Sequence, residues 1–234
     1  MTAYTLKWIA LITMIIDHIG AVFFPQLEII RIIGRISFPI FAFLLAEGFA
    51  RTRNRTNYLV RLVIFAVVAE VPFDLCFHGS FSYWLAQSVM VELAIAFIAL
   101  IFLEKTKKTP AFFILVIAMA FVAELLYSSY GSYGVLLVVA FYMFRKYRGA
   151  DIIAFVALTY LFYGFTNWGF SIENFYYSIL TLNSIQLYAC LAALPLVFYS
   201  GKKGDASMKW FFYAIYPLHL ALFYVVDRFL IPLF

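Results

Sequence analysis

Apolar runs of about 15 to 25 residues, separated by short polar or basic turns, fill the chain from end to end. At a helical rise of about 1.5 Å per residue, about 20 apolar residues cross a hydrocarbon core. The first run, 5–24, is closed by Pro25. The second, 27–51, contains Arg31, Arg35, Pro39 and Glu47 and ends in Arg51-Thr52-Arg53-Asn54-Arg55. Further runs cover 57–77, 83–103, 110–127, 133–144, 151–165, 182–200 and 208–230. None alternates with the period of a barrel strand, and in lipid only helices or closed barrels satisfy their own backbone. The pattern predicts an all-α, polytopic transmembrane bundle of about nine helices, one domain over residues 1–234. The aromatic, moderately polar stretch 168–181 reads as interfacial or re-entrant, and brings the count to about ten if it spans.

Composition supports this pattern. Hydrophobic residues make up 66% of the chain and charged residues 12%, against about 25% charged in soluble proteins. Lys7 ahead of the first run resembles a secretory signal. That run, however, exceeds an h-region, contains Asp17 and His18, and lacks a small-residue cleavage site, so it is expected to stay as the first transmembrane helix. The two cysteines, Cys76 and Cys190, match no metal or redox spacing, and no metal site is expected.

The net charge of +5 acquires meaning once the charges are placed on the loops. With the loops numbered alternately, one side receives Lys7, Arg51, Arg53, Arg55, Lys105, Lys107, Lys108, Arg145, Lys146, Arg148, Lys202, Lys203 and Lys209. The other side receives Arg228, with Arg31 and Arg35 lying inside the second helix. By the positive-inside rule the N-terminus is cytoplasmic and the C-terminus faces outward, and the basic character is a topology signal rather than a nucleic-acid footprint. The basic tracts are also suited to touch anionic lipid.

This orientation gives the ionisable residues a depth. Asp17 and His18 lie in the outward half of the first helix, Arg31 and Arg35 one turn apart in the second, and Glu70 and Asp74 one turn apart in the third. Glu92 and His219 fall near mid-membrane. Ionisable groups at such depth are costly and mark functional sites by default. Two readings stay open for the arginines: neutralising Asp17, Glu70 or Asp74, or contacting substrate. Glu47 with Arg51 reads as an i,i+4 pair. His18 is the candidate general base, since a neutral imidazole near pH 7 takes a proton and returns it. Consecutive helical residues point about 100° apart, so Asp17 is expected to pair with Arg31 or Arg35 rather than orient His18. The acid that orients His18 is expected from another helix, with Glu70, Asp74 and Glu92 as candidates.

Several motifs resemble the TraX family: Leu6-Lys7-Trp8-Ile9-Ala10, Asp17-His18-Ile19-Gly20, the stretch from Arg31-Ile32-Ile33-Gly34-Arg35 through Ala46-Glu47-Gly48, Glu70-Val71-Pro72-Phe73-Asp74, Tyr133-Gly134-Val135-Leu136, and Tyr216-Pro217-Leu218-His219. The founding member of that family is associated with N-terminal acetylation of conjugative pilin in the bacterial inner membrane. Its wider kin, the acyltransferase-3 and heparan-glucosaminide acetyltransferase groups, carry acetyl from cytoplasmic acetyl-CoA to an outer acceptor. The resemblance implies an inner-membrane acetyltransferase with acetyl-CoA as donor and a peptide amine or glycan as acceptor. In it His18 is base or transient acetyl carrier, and Asp17, Arg31, Arg35, Glu70 and Asp74 shape the acceptor site. Glu92 and His219 are further candidates for substrate contact, and Arg51, Arg53 and Arg55 for the phosphates of the donor. A proton-coupled transporter built on the same buried groups is the alternative, disfavoured by the absence of an internal repeat, and a non-catalytic scaffold is a third. The abundant small and aromatic residues suit packing against a second copy.

Overall fold

The computed structural model describes residues 1–106, 109, 111–147, 149–164, 184–205 and 208–230. Among them the regular structure is helical: α1 (Ala3–Val22), α2 (Glu28–Gly34), α3 (Ser37–Arg51), α4 (Arg55–His78), α5 (Val89–Lys105), α6 (Ala111–Leu125), α7 (Gly131–Phe144) and α8 (Ala150–Tyr163). A 3-10 helix (Ile185–Ala192), the short α9 (Ala193–Val197), α10 (Lys209–Val225) and a π turn (Val226–Leu230) follow. The expected interfacial stretch 168–181 lies outside the described residues.

Among the described residues, three helical stretches are long and apolar enough to cross a membrane: α1, residues 28–51 taken together, and α10 with its π turn. Helices α6, α7 and α8 are apolar but have only 14 or 15 residues each, about 21 to 23 Å of helix. Along α4, Val60, Val63, Ile64, Val67, Val68 and Val71 leave an exposed apolar face, and Phe113, Ile114, Ile117 and Phe121 do the same on α6. Faces of this kind suit lipid and would be costly in water.

The second predicted helix, 27–51, is interrupted between α2 and α3. Pro39 sits in the first turn of α3 and has no N–H to offer the Arg35 carbonyl, so the helix has to restart. The junction tightens instead: the Arg35 amide reaches the Arg31 and Ile32 carbonyls at 3.1 and 3.2 Å, and Ile36 reaches Ile33 at 3.4 Å. Further on, an eight-residue 3-10 helix stands where the pattern predicts α-helix, followed by a five-residue α-helix in which Pro195 withholds an amide from the Leu191 carbonyl. The run 83–103 becomes helical only at Val89.

The chain groups into two compact units, Met1–Leu44 with Met143–Ala206, and Leu45–Tyr142 with Ser207–Phe234. In the first, α1 packs along α2, the 3-10 helix touches α2 and α8, and Ser37 Oγ donates to the Ala10 carbonyl at 2.9 Å. The N-terminal segment is held by the loop after α9: Ser200 donates its amide and hydroxyl to the Met1 carbonyl, and the Ala3 and Tyr4 amides donate to Lys202 and Lys203. In the second, α4 packs against α5 and α10, and α5 against α6. There Arg55 forms a two-pronged pair with Glu104, while the Gln87 amide donates to Tyr127 and the Ser129 hydroxyl to Gln87.

Candidate functional site

In the first unit the site is built on α1 and the α2–α3 junction. Asp17 faces inward, only 9% exposed. Arg35 Nη2 donates to both its oxygens, at 2.5 and 2.6 Å, and Arg31 Nη1 donates to Oδ2 at 3.3 Å and to the Asp17 carbonyl at 3.1 Å. The pairing expected from helical geometry is therefore present, with both arginines rather than one. Gly34 makes it fit, because a Cβ there would run into the Asp17 carboxylate. His18, one residue on, is half-buried and lies about 100° further round the helix.

Arg35 has a second partner that the sequence reading passes over. Its Nη1 donates to Gln186 Oε1 at 3.1 Å, bringing the first turn of the 3-10 helix onto the arginine. Gln186 is 7% exposed, and its amide nitrogen has no acceptor among the described residues. The available sequence signal is a lone amide in an otherwise apolar run, a signal that Gln87 and Asn183 also give. Gln87 proves to bond within its own loop, donating Nε2 to the Trp84 carbonyl at 3.2 Å, and Asn183 lies outside the described residues.

The other candidates belong to the second unit, where the acids serve the backbone. Glu70 accepts from the Ser88 amide at 3.1 Å, immediately before α5. Asp74 accepts from the Tyr83 amide at 2.8 Å. Glu92, 0% exposed, accepts from the Ser128 hydroxyl at 2.5 Å and the Tyr130 amide at 3.3 Å. Glu124 takes the Ser132 amide and hydroxyl at 2.8 and 2.6 Å. Glu92 and Glu124 thus share the start of α7, and Gly131, at φ +54°, leaves no room there for a side chain against Glu124. Helices that begin away from water need such partners, because their first amides have none within the helix. Carboxylates also suit the positive end of the helix dipole. One oxygen of each of Glu70, Asp74 and Glu92 remains buried without a hydrogen bond among the described residues. His219 Nδ1 donates to the Ile215 carbonyl of its own helix at 2.7 Å, and its ring packs between Tyr216 and Phe223.

Of the basic tract, Arg51 pairs with Glu47 as the spacing predicts and Arg55 with Glu104, while Arg53 is exposed between them. A tract already holding two acids has only part of its charge to offer a phosphate.

The family model described as TraX protein matches residues 2–227. A protein of Dichelobacter nodosus named "Probable fimbrial assembly protein FimC, serogroup H1" is 29% identical over 255 aligned residues, covering 98% of this chain and 97% of that protein. A shorter similarity, 41% over 66 residues, covers 28% of this chain and 25% of "Uncharacterized protein RP591" of Rickettsia prowazekii strain Madrid E. No solved structure matches the chain.

Proposed function

The chain belongs to the TraX family, and from that membership we propose that it is a multi-span inner-membrane acetyltransferase, taking acetyl from cytoplasmic acetyl-CoA to an amine on the outer side. The observation that carries this reading is the Asp17–Arg31–Arg35 cluster beside His18. A carboxylate engaged by two guanidinium groups anchors α1 rather than acting as a base, and the imidazole next to it is left as the group suited to proton transfer. His18 accepts the proton of the attacking amine as its nitrogen bonds to the thioester carbonyl carbon. The C–S bond then breaks, and His18 returns the proton to the departing thiolate of coenzyme A.

The name of the Dichelobacter relative, a fimbrial assembly protein, favours a peptide acceptor, the terminal amine of a surface-fibre subunit. The basic side of the chain, with Arg53 foremost, receives the donor's phosphates, while anionic lipid occupies the remaining basic loops. Binding is tested first. Acetyl-CoA is expected to raise the thermal unfolding midpoint of the detergent-purified protein in a concentration-dependent way, since a ligand of the native state stabilises it by mass action. Arg53→Ala is expected to shift that dependence to higher concentration. A midpoint indifferent to acetyl-CoA at millimolar levels argues against the donor.

A further inference from the structure

Gln186 offers a hydrogen-bond donor whose acceptor is not part of the described chain. Arg35 has only donors, so the Gln186 atom facing it is the amide oxygen, and this fixes the –NH2 group on the opposite side. The backbone around it is held as well, with the Gln186 amide donating to Ser184 Oγ at 3.3 Å. The side chain is thus buried, oriented at one end by an arginine that also grips Asp17, and unsatisfied at the other. Buried polar groups in native proteins are paired in the great majority of cases, and an oriented donor left over is suited to hold a water, an ion or a bound group.

We propose that Gln186 Nε2 donates to the carbonyl oxygen of the acyl group under transfer, a proposal that rests on the acyltransfer reading above. The juxtaposition that carries it is the oriented, unpartnered amide joined through Arg35 to Asp17, the residue preceding His18. When the acceptor nitrogen adds to the carbonyl carbon, the carbonyl π electrons move onto oxygen. A donor fixed in place there lowers the energy of that oxyanion, and it reverts to carbonyl as the C–S bond breaks. An amide held in advance by Arg35 needs no reorganisation during the reaction.

Two variants separate substrate contact from a structural role. Gln186→Glu keeps an oxygen for Arg35 and removes the N–H donors, while Gln186→Met removes both at similar volume. Each is assayed for acetyl-CoA-dependent acetylation of an acceptor peptide, alongside thermal unfolding with and without acetyl-CoA. The expected result is a folded Gln186→Glu protein that keeps its acetyl-CoA-induced stabilisation and loses about 100-fold or more in kcat, the size of effect of a lost oxyanion donor. If Gln186→Glu turns over within about twofold of wild type, the amide serves only Arg35 or a buried water, and the proposal is overturned. If neither variant folds, Gln186 is a structural anchor and the proposal is likewise overturned. If Gln186→Glu fails to fold and Gln186→Met folds, the kcat of the latter decides by the same margins. A wild-type protein with no transfer overturns the acyltransfer reading itself, and this proposal with it, an outcome distinct from activity that survives at residue 186.

Discussion

At position 17 a single carboxylate meets two guanidinium groups, and removing its charge leaves two cations, one turn apart at the end of α2, without their counter-charge from α1. Asp17→Asn preserves the shape of the side chain and is expected to destabilise the protein by about 3 to 5 kcal/mol, the cost of breaking a buried pair from one side. Denaturant unfolding in detergent measures this, and a loss under about 1 kcal/mol would show that the cluster is solvated like a surface pair. This part of the site is legible in the sequence. Spacing alone sets Arg31 and Arg35 on one face and turns Asp17 away from His18. Gln186 is not legible, since its partner lies 151 residues earlier and nothing in an apolar run distinguishes an amide that bonds across helices from one that bonds locally. The role of an exposed arginine is equally hidden. Arg51 shows its partner in the i,i+4 spacing to Glu47, but Arg53 and Arg55 read alike in the sequence, and only Arg55 is paired, with Glu104 49 residues on.

Single residues decide where several elements begin. Pro39 withholds one amide, and with it the predicted helix 27–51 divides, while the predicted helix 182–200 runs as a 3-10 helix over Ile185–Ala192 before a short α-helix. The acids of the second unit act on the same scale. Glu70, Asp74, Glu92 and Glu124 each accept from a backbone amide at or near the start of a helix or in the loop before it. Apolar runs reveal that helices exist, but not where they start, because the deciding carboxylate sits on another helix, 36 residues away for Glu92 and Ser128. Glu92→Leu removes the acceptor for the Ser128 hydroxyl and the Tyr130 amide. The Ser128 hydroxyl keeps the Ala123 carbonyl at 3.1 Å, so the expected cost is about 1 to 3 kcal/mol for the Tyr130 amide left unpaired, and Glu92→Gln, which retains one oxygen, costs less. Hydrogen exchange at the amides of residues 130–132 reads the effect locally: they gain exchange in Glu92→Leu, and unchanged protection would remove Glu92 from its capping role.

For the whole chain, the alternation of basic and non-basic loops is the property most clearly written in the sequence. Within the first unit the N-terminus and the loop with Lys202 and Lys203 lie together, as the alternating loop count requires. Within the second, the loop carrying Arg55 meets Glu104, and residues 87 and 127–129, assigned to the opposite side, meet each other. Charge bias is legible because each short loop carries its lysines and arginines visibly. Span length is less so, since the apolar runs include turn residues that the helices do not, and among the described residues three helical stretches are both long and apolar enough to cross a membrane. Acetyl transfer across the membrane through His18 is tested in vesicles holding acetyl-CoA with labelled acetyl on the side of the basic loops and an acceptor peptide on the other. Wild-type protein is expected to label the peptide only when acetyl-CoA is present on the basic side, and His18→Ala to lose that labelling by about 100-fold or more while still unfolding cooperatively. Labelling by His18→Ala at the wild-type rate, or labelling only when donor and acceptor share one side, would contradict it.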